Sequence, residues 1–171
     1  MVLAALAAGG CSQAGKLAGP GATLPAGEES PGFLDRVSSQ KTVSENDAMR
    51  GVLMLVRGKD EQATFSDRVG QMRAMKLVDA TWDFDAARPI TRGKLAYMIY
   101  QAVHMSGGVI LTLTGPSQRY CARELHYQGI MASDIMTTQI SGGEFVAVLG
   151  RADAYKTKGE VPDILRTPAG G

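Results

Sequence analysis

The two histidines, His104 and His126, are the side chains in this sequence best suited to acid–base or metal chemistry. They lie 22 residues apart, and no cysteine or carboxylate accompanies them at the spacing of zinc ligands. The chain contains neither the Gly-x-Ser-x-Gly of a nucleophile elbow nor a glycine-rich phosphate loop. Arg123, Glu124 and His126 share a predicted helix, where polar residues on one face are usually only solvated. The pattern therefore argues against an enzyme and predicts no catalytic residue, metal or cofactor.

The acidic stretch Asp83-Phe84-Asp85 has the carboxylates with which a calcium-binding loop begins. Such a loop needs an oxygen ligand at its fifth position, Gly at its sixth and Glu at its twelfth. The sequence has Ala87, Arg88 and Lys94 at those positions, and this composition excludes a calcium loop of that type.

The charges of the chain are almost balanced, with 18 Lys and Arg against 17 Asp and Glu and a formal net charge of +1. Because neutralisation of phosphates provides most of the affinity of proteins for nucleic acid, no nucleic-acid partner is expected. A length of 171 residues with 44% apolar residues is typical of one compact domain with tails. Of the two cysteines, Cys121 lies in a helical pattern and is predicted to be a small buried hydrophobe.

Three segments of the chain begin a helix in the same way, at starts 47 and 50 residues apart. In each, a β-branched aliphatic residue precedes a Ser or Thr, and an apolar helical run follows. The hydroxyl can cap the helix by accepting a bond from a free backbone N–H, and the aliphatic residue can pack on the first turn. The caps are Ser44, Thr91 and Ser141, and the residues before them are Val43, Ile90 and Ile140.

A second helix is predicted before two of these starts, over residues 65–78 and 119–131, where apolar residues recur at helical spacing. The two segments align so that Lys76-Leu77-Val78 matches Gly129-Ile130-Met131. The predicted fold class is therefore mostly α, with two and a half helix-loop-helix repeats in a domain over 42–155. The units span 42–60, 64–104 and 118–155, the first with only its second helix, and a short extended segment lies at about 108–114.

The middle unit resembles the S-layer homology (SLH) module. It has a helix ending in Lys-Leu, a loop with Trp82 and Phe84, and Pro89-Ile90-Thr91-Arg92-Gly93 opening the second helix. The resemblance covers 64–103 well, 119–152 moderately and 42–57 only at the helix start. It implies a protein that binds cell-wall glycan, with Trp82, Thr91 and Arg92 as the glycan-binding residues. A helix N-terminus and an arginine suit an acidic group, and an aromatic ring suits a sugar.

The residues themselves also allow a purely structural interpretation of that site. Thr91 would then only cap its helix, Arg92 would be a solvated residue of the first turn, and Trp82 would fill the core between the helices. Both interpretations stay open at the level of the sequence.

The N-terminus, residues 1–11, resembles the C-terminal part of a bacterial lipoprotein signal, with an apolar run and small residues before Cys11. The resemblance implies a lipid anchor on Cys11, and Ser12 after it is typical of lipoproteins of the outer membrane. Residues 12–41 are predicted to be a flexible linker, and residues 156–171 a disordered tail. The alternative for residues 1–32 is a disordered tail of a cytosolic protein.

Together these patterns predict an exported, non-catalytic protein of the cell envelope that binds cell-wall polysaccharide through SLH-like repeats. It would face the periplasm on the outer membrane and touch the membrane through its lipid anchor only. One alternative is a structural or assembly subunit that docks an envelope protein. The other is an enzyme whose polar cluster joins distant residues such as His126 and Asp153.

Overall fold

A computed structural model describes residues 30–105 and 115–166, and this part of the chain is mostly helical, as predicted. Its extended pairings are two isolated antiparallel bridges, Ser44 with Pro89 and Thr91 with Gln139. The predicted extended segment at about 108–114 and the predicted lipid anchor at Cys11 lie outside the described residues. The helices are α1 (Ser30–Ser38), α2 (Glu45–Arg57), α3 (Phe65–Ala74), α4 (Arg92–Ala102), α5 (Gln118–Tyr127) and α6 (Gly142–Lys158), followed by a 3-10 turn at Asp163–Leu165.

The three predicted caps are confirmed at the starts of α2, α4 and α6. The hydroxyl of Ser44 accepts the N–H of the third residue of α2 at 3.1 Å. Those of Thr91 and Ser141 accept the corresponding N–H groups of α4 and α6 at 3.4 and 3.3 Å. Each cap residue has extended backbone, so the chain enters each helix through the same sharp change of direction.

The three helix starts meet at the centre of the fold. The N–H of Val43 donates to the carbonyl of Ile140 at 3.1 Å, and the N–H of Ile90 donates to the carbonyl of Val43 at 2.9 Å. All three side chains are completely buried, so the residues that precede the caps form the middle of the hydrophobic core. Backbone groups buried among apolar side chains need such partners, because an unpaired one is costly.

A second set of backbone hydrogen bonds joins the first residue of α2, α4 and α6 to the segment that precedes another of these three helices. The N–H of Glu45 donates to the carbonyl of Arg88 at 2.8 Å, and the N–H of Arg92 donates to that of Thr138 at 2.9 Å. The N–H of Gly142, the first residue of α6, donates to the carbonyl of Gln40, which precedes α2, at 2.9 Å. The first helical residue of α2, α4 and α6 therefore bonds to the segment that leads into a neighbouring start.

The remaining helices pack on the outside of these three, with α3 against α2, α5 against α4 and α1 against α6. The predicted alignment of 76–78 with 129–131 is confirmed by the backbone. Lys76 and Gly129 both have a left-handed conformation, with φ of 55° and 74°. The next residues, Leu77 and Ile130, are buried, and each N–H donates back to the preceding helix.

The predicted linker over residues 12–41 has to be corrected at its C-terminal end, because residues 30–38 form α1. Phe33 and Val37, one helical turn apart, are completely buried, and α1 packs against α6. Two apolar side chains on one face provide enough burial to order this short helix within the domain, although the composition around it is rich in Gly, Ser and Pro.

The predicted disordered tail over 156–171 also needs correction in its first part. The helix α6 continues to Lys158 and ends at Gly159, whose φ is 77°, and Val161 is buried. The ammonium of Lys156 donates to the carbonyls of Leu55 and Val56 at 2.8 and 3.1 Å, at the C-terminal end of α2. Such a cation suits the carbonyls of a helix end. Within the described ranges, no helix combines the length and the hydropathy that crossing a membrane requires.

Candidate functional site

Trp82 lies in the loop between α3 and α4, and its ring is half-buried. The ring meets Tyr97 of α4 edge-to-face, with the centroids 5.0 Å apart, and Phe84 in the same way at 6.2 Å. Burial raises the pKa of Tyr97, because the low-dielectric surroundings disfavour a phenolate. The indole thus packs on the buried ring of Tyr97 and on the half-buried ring of Phe84, and it keeps part of its surface in solvent.

Lys94, in the first turn of α4, places its ammonium beside these rings. The Nζ atom lies 4.8 Å from the centroid of Phe84 and 5.9 Å from that of Trp82, within the range of cation–π attraction. The same atom donates to Oε1 of Glu45 at 2.7 Å and to the carbonyl of Asp83 at 3.2 Å. These contacts hold the cation in one position over the aromatic surface.

Glu45, the first residue of α2, is only 1% exposed, and its carboxylate accepts from several donors. Arg88 donates to both carboxylate oxygens at 3.1 Å, and the N–H of Asp85 donates to Oε2 at 2.8 Å. The pKa of Arg88 is raised, chiefly because its guanidinium is hydrogen-bonded to Glu45. The side chain of Arg88 is 41% exposed, so it presents a permanent positive charge to solvent. We call Trp82, Phe84, Arg88 and Lys94 the aromatic–basic surface.

The other two predicted glycan-binding residues, Thr91 and Arg92, both bond to other parts of the protein. Thr91 is the cap of α4, whereas Arg92 is only 7% exposed, so it is not the solvated residue of the alternative interpretation. Its Nε atom lies 3.0 Å from Oδ2 of Asp134, and its Nη2 atom donates to Glu144. The ring contacts of Trp82 are with Phe84, Tyr97 and Lys94, so its recorded neighbours differ from the ion-pair partners of Arg92.

Two ion pairs join the starts of neighbouring helices through the same two helix positions, but the acidic and the basic residue are exchanged between them. Glu45 and Arg92 are the first residues of α2 and α4, and Lys94 and Glu144 are the third residues of α4 and α6. Each pair joins the first residue of one helix to the third residue of the next. Sequence reasoning missed Glu45, Arg88 and Lys94; the one available signal was that Lys94 stands where a capping box has Glu.

The third interface is built differently, because α6 begins with Gly142. A Cβ atom on Gly142 would lie 1.8 Å from the carbonyl oxygen of Val37, so only glycine lets α1 approach this closely. The third residue of α2, Asp47, instead accepts from Nη2 of Arg36 and from Nε2 of Gln40, each at 3.2 Å. Arg36 and Gln40, in α1 and just after it, therefore pair with the carboxylate at this interface, as Arg92 and Lys94 do at the other two.

The residues considered for catalysis are not gathered into a cluster. Nδ1 of His126 lies 3.3 Å from the carbonyl of Met131, and no hydrogen bond or ion pair between described residues joins His126 to Asp153. Cys121 is a buried free thiol, as predicted, and burial raises its pKa to about 12. Over residues 30–105 and 115–166, no three His, Cys, Asp or Glu side chains are grouped as metal ligands.

We compared the chain with protein-family models, with curated proteins and with solved structures, and none of the three comparisons found a match.

Proposed function

We propose that this protein is a non-catalytic component of the bacterial cell envelope that binds cell-wall glycan through SLH-like units. Three helix pairs, α1 with α2, α3 with α4 and α5 with α6, would form these units, one half-unit more than the sequence predicts. The shared cap chemistry of α2, α4 and α6 and their joined starts support an internal repeat. The observation that carries the glycan-binding proposal is the partly buried ring of Trp82 beside the ammonium of Lys94, with Arg88 bonded to the same carboxylate of Glu45 as Lys94.

The aromatic–basic surface suits an acidic sugar in two ways. The exposed part of the indole can pack on the apolar face of a sugar ring, and the aromatic neighbours beneath it keep the ring in place. Glu45 and Asp83 together accept from Nε, Nη1 and Nη2 of Arg88, and the partly exposed guanidinium keeps one Nη1 N–H that can bond to a carboxylate. In this proposal Thr91 and Arg92 act indirectly, by holding the start of α4 against its neighbours.

We further propose that the protein is exported and anchored by a lipid on Cys11, with the residues before α1 as the tether. This rests on the apolar run and the small residues before Cys11. The mass of the intact protein from the producing cell, measured on separated membrane and soluble fractions, tests it. A diacylglycerol-modified Cys11 in the membrane fraction is the expected result, and an unmodified N-terminus in the cytosolic fraction would refute it.

Co-sedimentation with purified cell-wall sacculi tests the glycan proposal. We expect the wild type to pellet with sacculi and Trp82→Ala to lose most of this binding, whereas Trp82→Phe, which keeps an aromatic face, retains part of it. Tyr127→Ala is the matched control, because it removes another exposed aromatic ring that is not part of the aromatic–basic surface. Sacculi stripped of acidic secondary polymers should bind less, because the remaining donor of Arg88 then has no acidic sugar to bind.

Thermal unfolding of each variant, followed by circular dichroism, separates binding from folding. A Trp82→Ala protein that remains folded at the assay temperature and still pellets like the wild type contradicts the proposal. Equal loss of binding in Trp82→Ala and Tyr127→Ala would contradict it as well, since the loss would then not depend on the aromatic–basic surface.

A further inference from the structure

We propose that the exposed face of α5 is a docking surface for an acidic segment of a partner protein. We define the α5 face as Arg119, Arg123 and Tyr127. It lies on a different helix from the aromatic–basic surface, and the inference does not depend on glycan binding. The proposal rests on three observations, namely free cations, an internal comparison with α3, and exposed apolar residues at the end of α5.

The residues of the α5 face follow one another at intervals of four, so they lie along one side of the helix. Both arginines are exposed, and neither forms a hydrogen bond or an ion pair with another described residue. Tyr127 is 80% exposed. The opposite side of the helix is buried, with Cys121 and Leu125 completely inaccessible, so the α5 face cannot turn inward without unfolding the helix from the core.

The helix α3 provides a comparison within the same molecule. Because Lys76 and Gly129 occupy matching left-handed positions after their helices, each residue of α5 has a counterpart 53 positions earlier in α3. The counterparts of the α5 face are Ser66, Gly70 and Ala74, all exposed. The fold therefore accepts small uncharged residues at these positions, and packing does not require two arginines and a tyrosine there.

The end of α5 adjoins the C-terminal 3-10 turn, which adds apolar surface. Side-chain carbons of Arg166 lie 3.0–3.4 Å from the position that a Cβ on Gly129 would take, so the turn is held beside the helix end. Next to this contact, Ile164 is 92% exposed and Leu165 is 46% exposed. Of the four large apolar side chains that are exposed in the described residues, Tyr127 lies at the end of α5, and Ile164 and Leu165 lie in the turn that Arg166 places beside Gly129.

This combination fits a protein partner better than a sugar polymer. Arginine and tyrosine are enriched among the residues that dominate protein–protein interfaces, and exposed apolar side chains gain from burial against another protein. The two arginines are one helical turn apart, about 6 Å along the axis. Their guanidinium groups can each take a carboxylate in a bidentate pair. We therefore expect a partner segment with two carboxylates at about that spacing and apolar residues beside them.

Site-specific photo-crosslinking in the producing cell tests the proposal. A benzophenone amino acid replaces Tyr127 in one variant and Ala74, its counterpart in α3, in the control. We expect a discrete protein adduct from position 127 and none from position 74. Mass spectrometry of the adduct should locate the crosslink in a segment containing Asp or Glu, and the same adduct should be lost in a background of R119E and R123E.

The purified partner and the purified full chain then give the decisive measurement. We expect R119E/R123E to weaken binding by about 30-fold or more, because carboxylates would face carboxylates, while the thermal midpoint and the pelleting with sacculi stay unchanged. Absence of an adduct from position 127, or binding that R119E/R123E leaves unchanged, overturns the proposal. It is equally overturned if the variant loses adhesion to vesicles with 30% anionic lipid or to sacculi, since a lipid or glycan surface would then be the ligand.

Discussion

The ammonium of Lys94 lies 2.7 Å from the buried carboxylate of Glu45, and the corresponding positions in the next pair of helices hold Glu144 and Arg92 with the charges exchanged. At these two interfaces the first residue of one helix pairs with the third residue of the next, and either position can hold the cation. A backbone that is the same at both interfaces explains this, because it brings the two positions together whichever partner is cationic.

Neutralising Glu45 should destabilise the protein far more than neutralising an exposed carboxylate in an ion pair of equal length. We expect Glu45→Gln to lower the free energy of unfolding by about 2 kcal/mol, because Arg88 and Lys94 lose the charge that compensates them at a buried site. Glu61 provides the control, since it lies 2.7 Å from Lys59 but both side chains are exposed. Urea unfolding should show no measurable change for Glu61→Gln, and equal effects of the two variants would contradict the role of burial.

The local chemistry of the helices was predictable because it depends on neighbours in the sequence. Ser44, Thr91 and Ser141 bond to N–H groups three residues away, so composition and spacing were enough to identify them. The meeting of the three starts was not predictable in this way. It depends on bonds such as that between Ile90 and Val43, which join positions 47 residues apart and leave no periodic pattern in the chain.

The α1 helix shows why the first unit was predicted to be incomplete. Its nine residues have one buried stripe, and their capacity to form a helix comes from contact with α6 rather than from intrinsic propensity. Gly142 was a second signal, since two successive glycines at the start of α6 allow another segment to approach closely. Without the partner segment in view, that signal could not be assigned to α1.

Gly142→Ala should separate α1 from α6 or strain the contact between them. A Cβ atom 1.8 Å from the carbonyl oxygen of Val37 forces backbone to move, and we expect a loss of about 3 kcal/mol of stability. Gly150→Ala, in the same helix, is the matched control because nothing lies within 4 Å of its Cβ position. The control should gain about 0.5–1 kcal/mol from helix propensity.

Limited proteolysis is an independent test of whether Gly142→Ala separates α1 from α6. If Gly142→Ala releases α1, trypsin should cleave after Arg36 faster than in the wild type, while Gly150→Ala should keep the wild-type rate. Unchanged stability and unchanged cleavage in Gly142→Ala would show that α1 does not pack against the start of α6.

Phe33→Ala should reveal that α1 belongs to the folded domain and not to the tether. The ring is completely buried, and the guanidinium carbon of Arg50 lies 4.6 Å from its centroid. We expect a loss of about 3–4 kcal/mol from the cavity and the lost cation–π contact. Ile164→Ala, at a side chain that is 92% exposed, should change stability by less than about 0.5 kcal/mol in the same chemical unfolding assay. A similarly small effect of Phe33→Ala would show that residues 30–38 belong to the linker and not to the folded domain.

The site could be predicted only in part, because its two kinds of residue leave different signals. Trp82 was identifiable as the single tryptophan in a loop before a capped helix. Arg92 looked exposed by its place in the first turn, but Asp134 and Glu144 approach it from a different unit and cover it. Ion pairs between residues 42 and 52 positions apart follow from tertiary packing, and a single sequence contains no pattern that indicates them.

The buried thiol of Cys121 should make the protein less stable at alkaline pH. Burial raises its pKa from an ordinary value of 9.0 to about 12, so the folded state keeps the proton that the unfolded state releases above pH 9. The unfolded state therefore binds fewer protons between pH 9 and pH 12, and stability falls by about 1.4 kcal/mol for each pH unit in that interval. Below pH 9 both states hold the proton, and the contribution is constant.

The comparison of Cys121 with Cys121→Ala, both in a Cys11→Ser background, isolates this effect from the lysines and tyrosines that titrate in the same range. We expect the difference in unfolding free energy between the two proteins to be constant from pH 6 to pH 8.5 and to shift in favour of the alanine variant above pH 9. A thiol reagent at pH 8 should react with Cys121 only after urea unfolds the chain, because the side chain has no exposed surface. Rapid labelling of the folded protein, or a difference that does not change with pH, would show that Cys121 is not held in the core between α4 and α5.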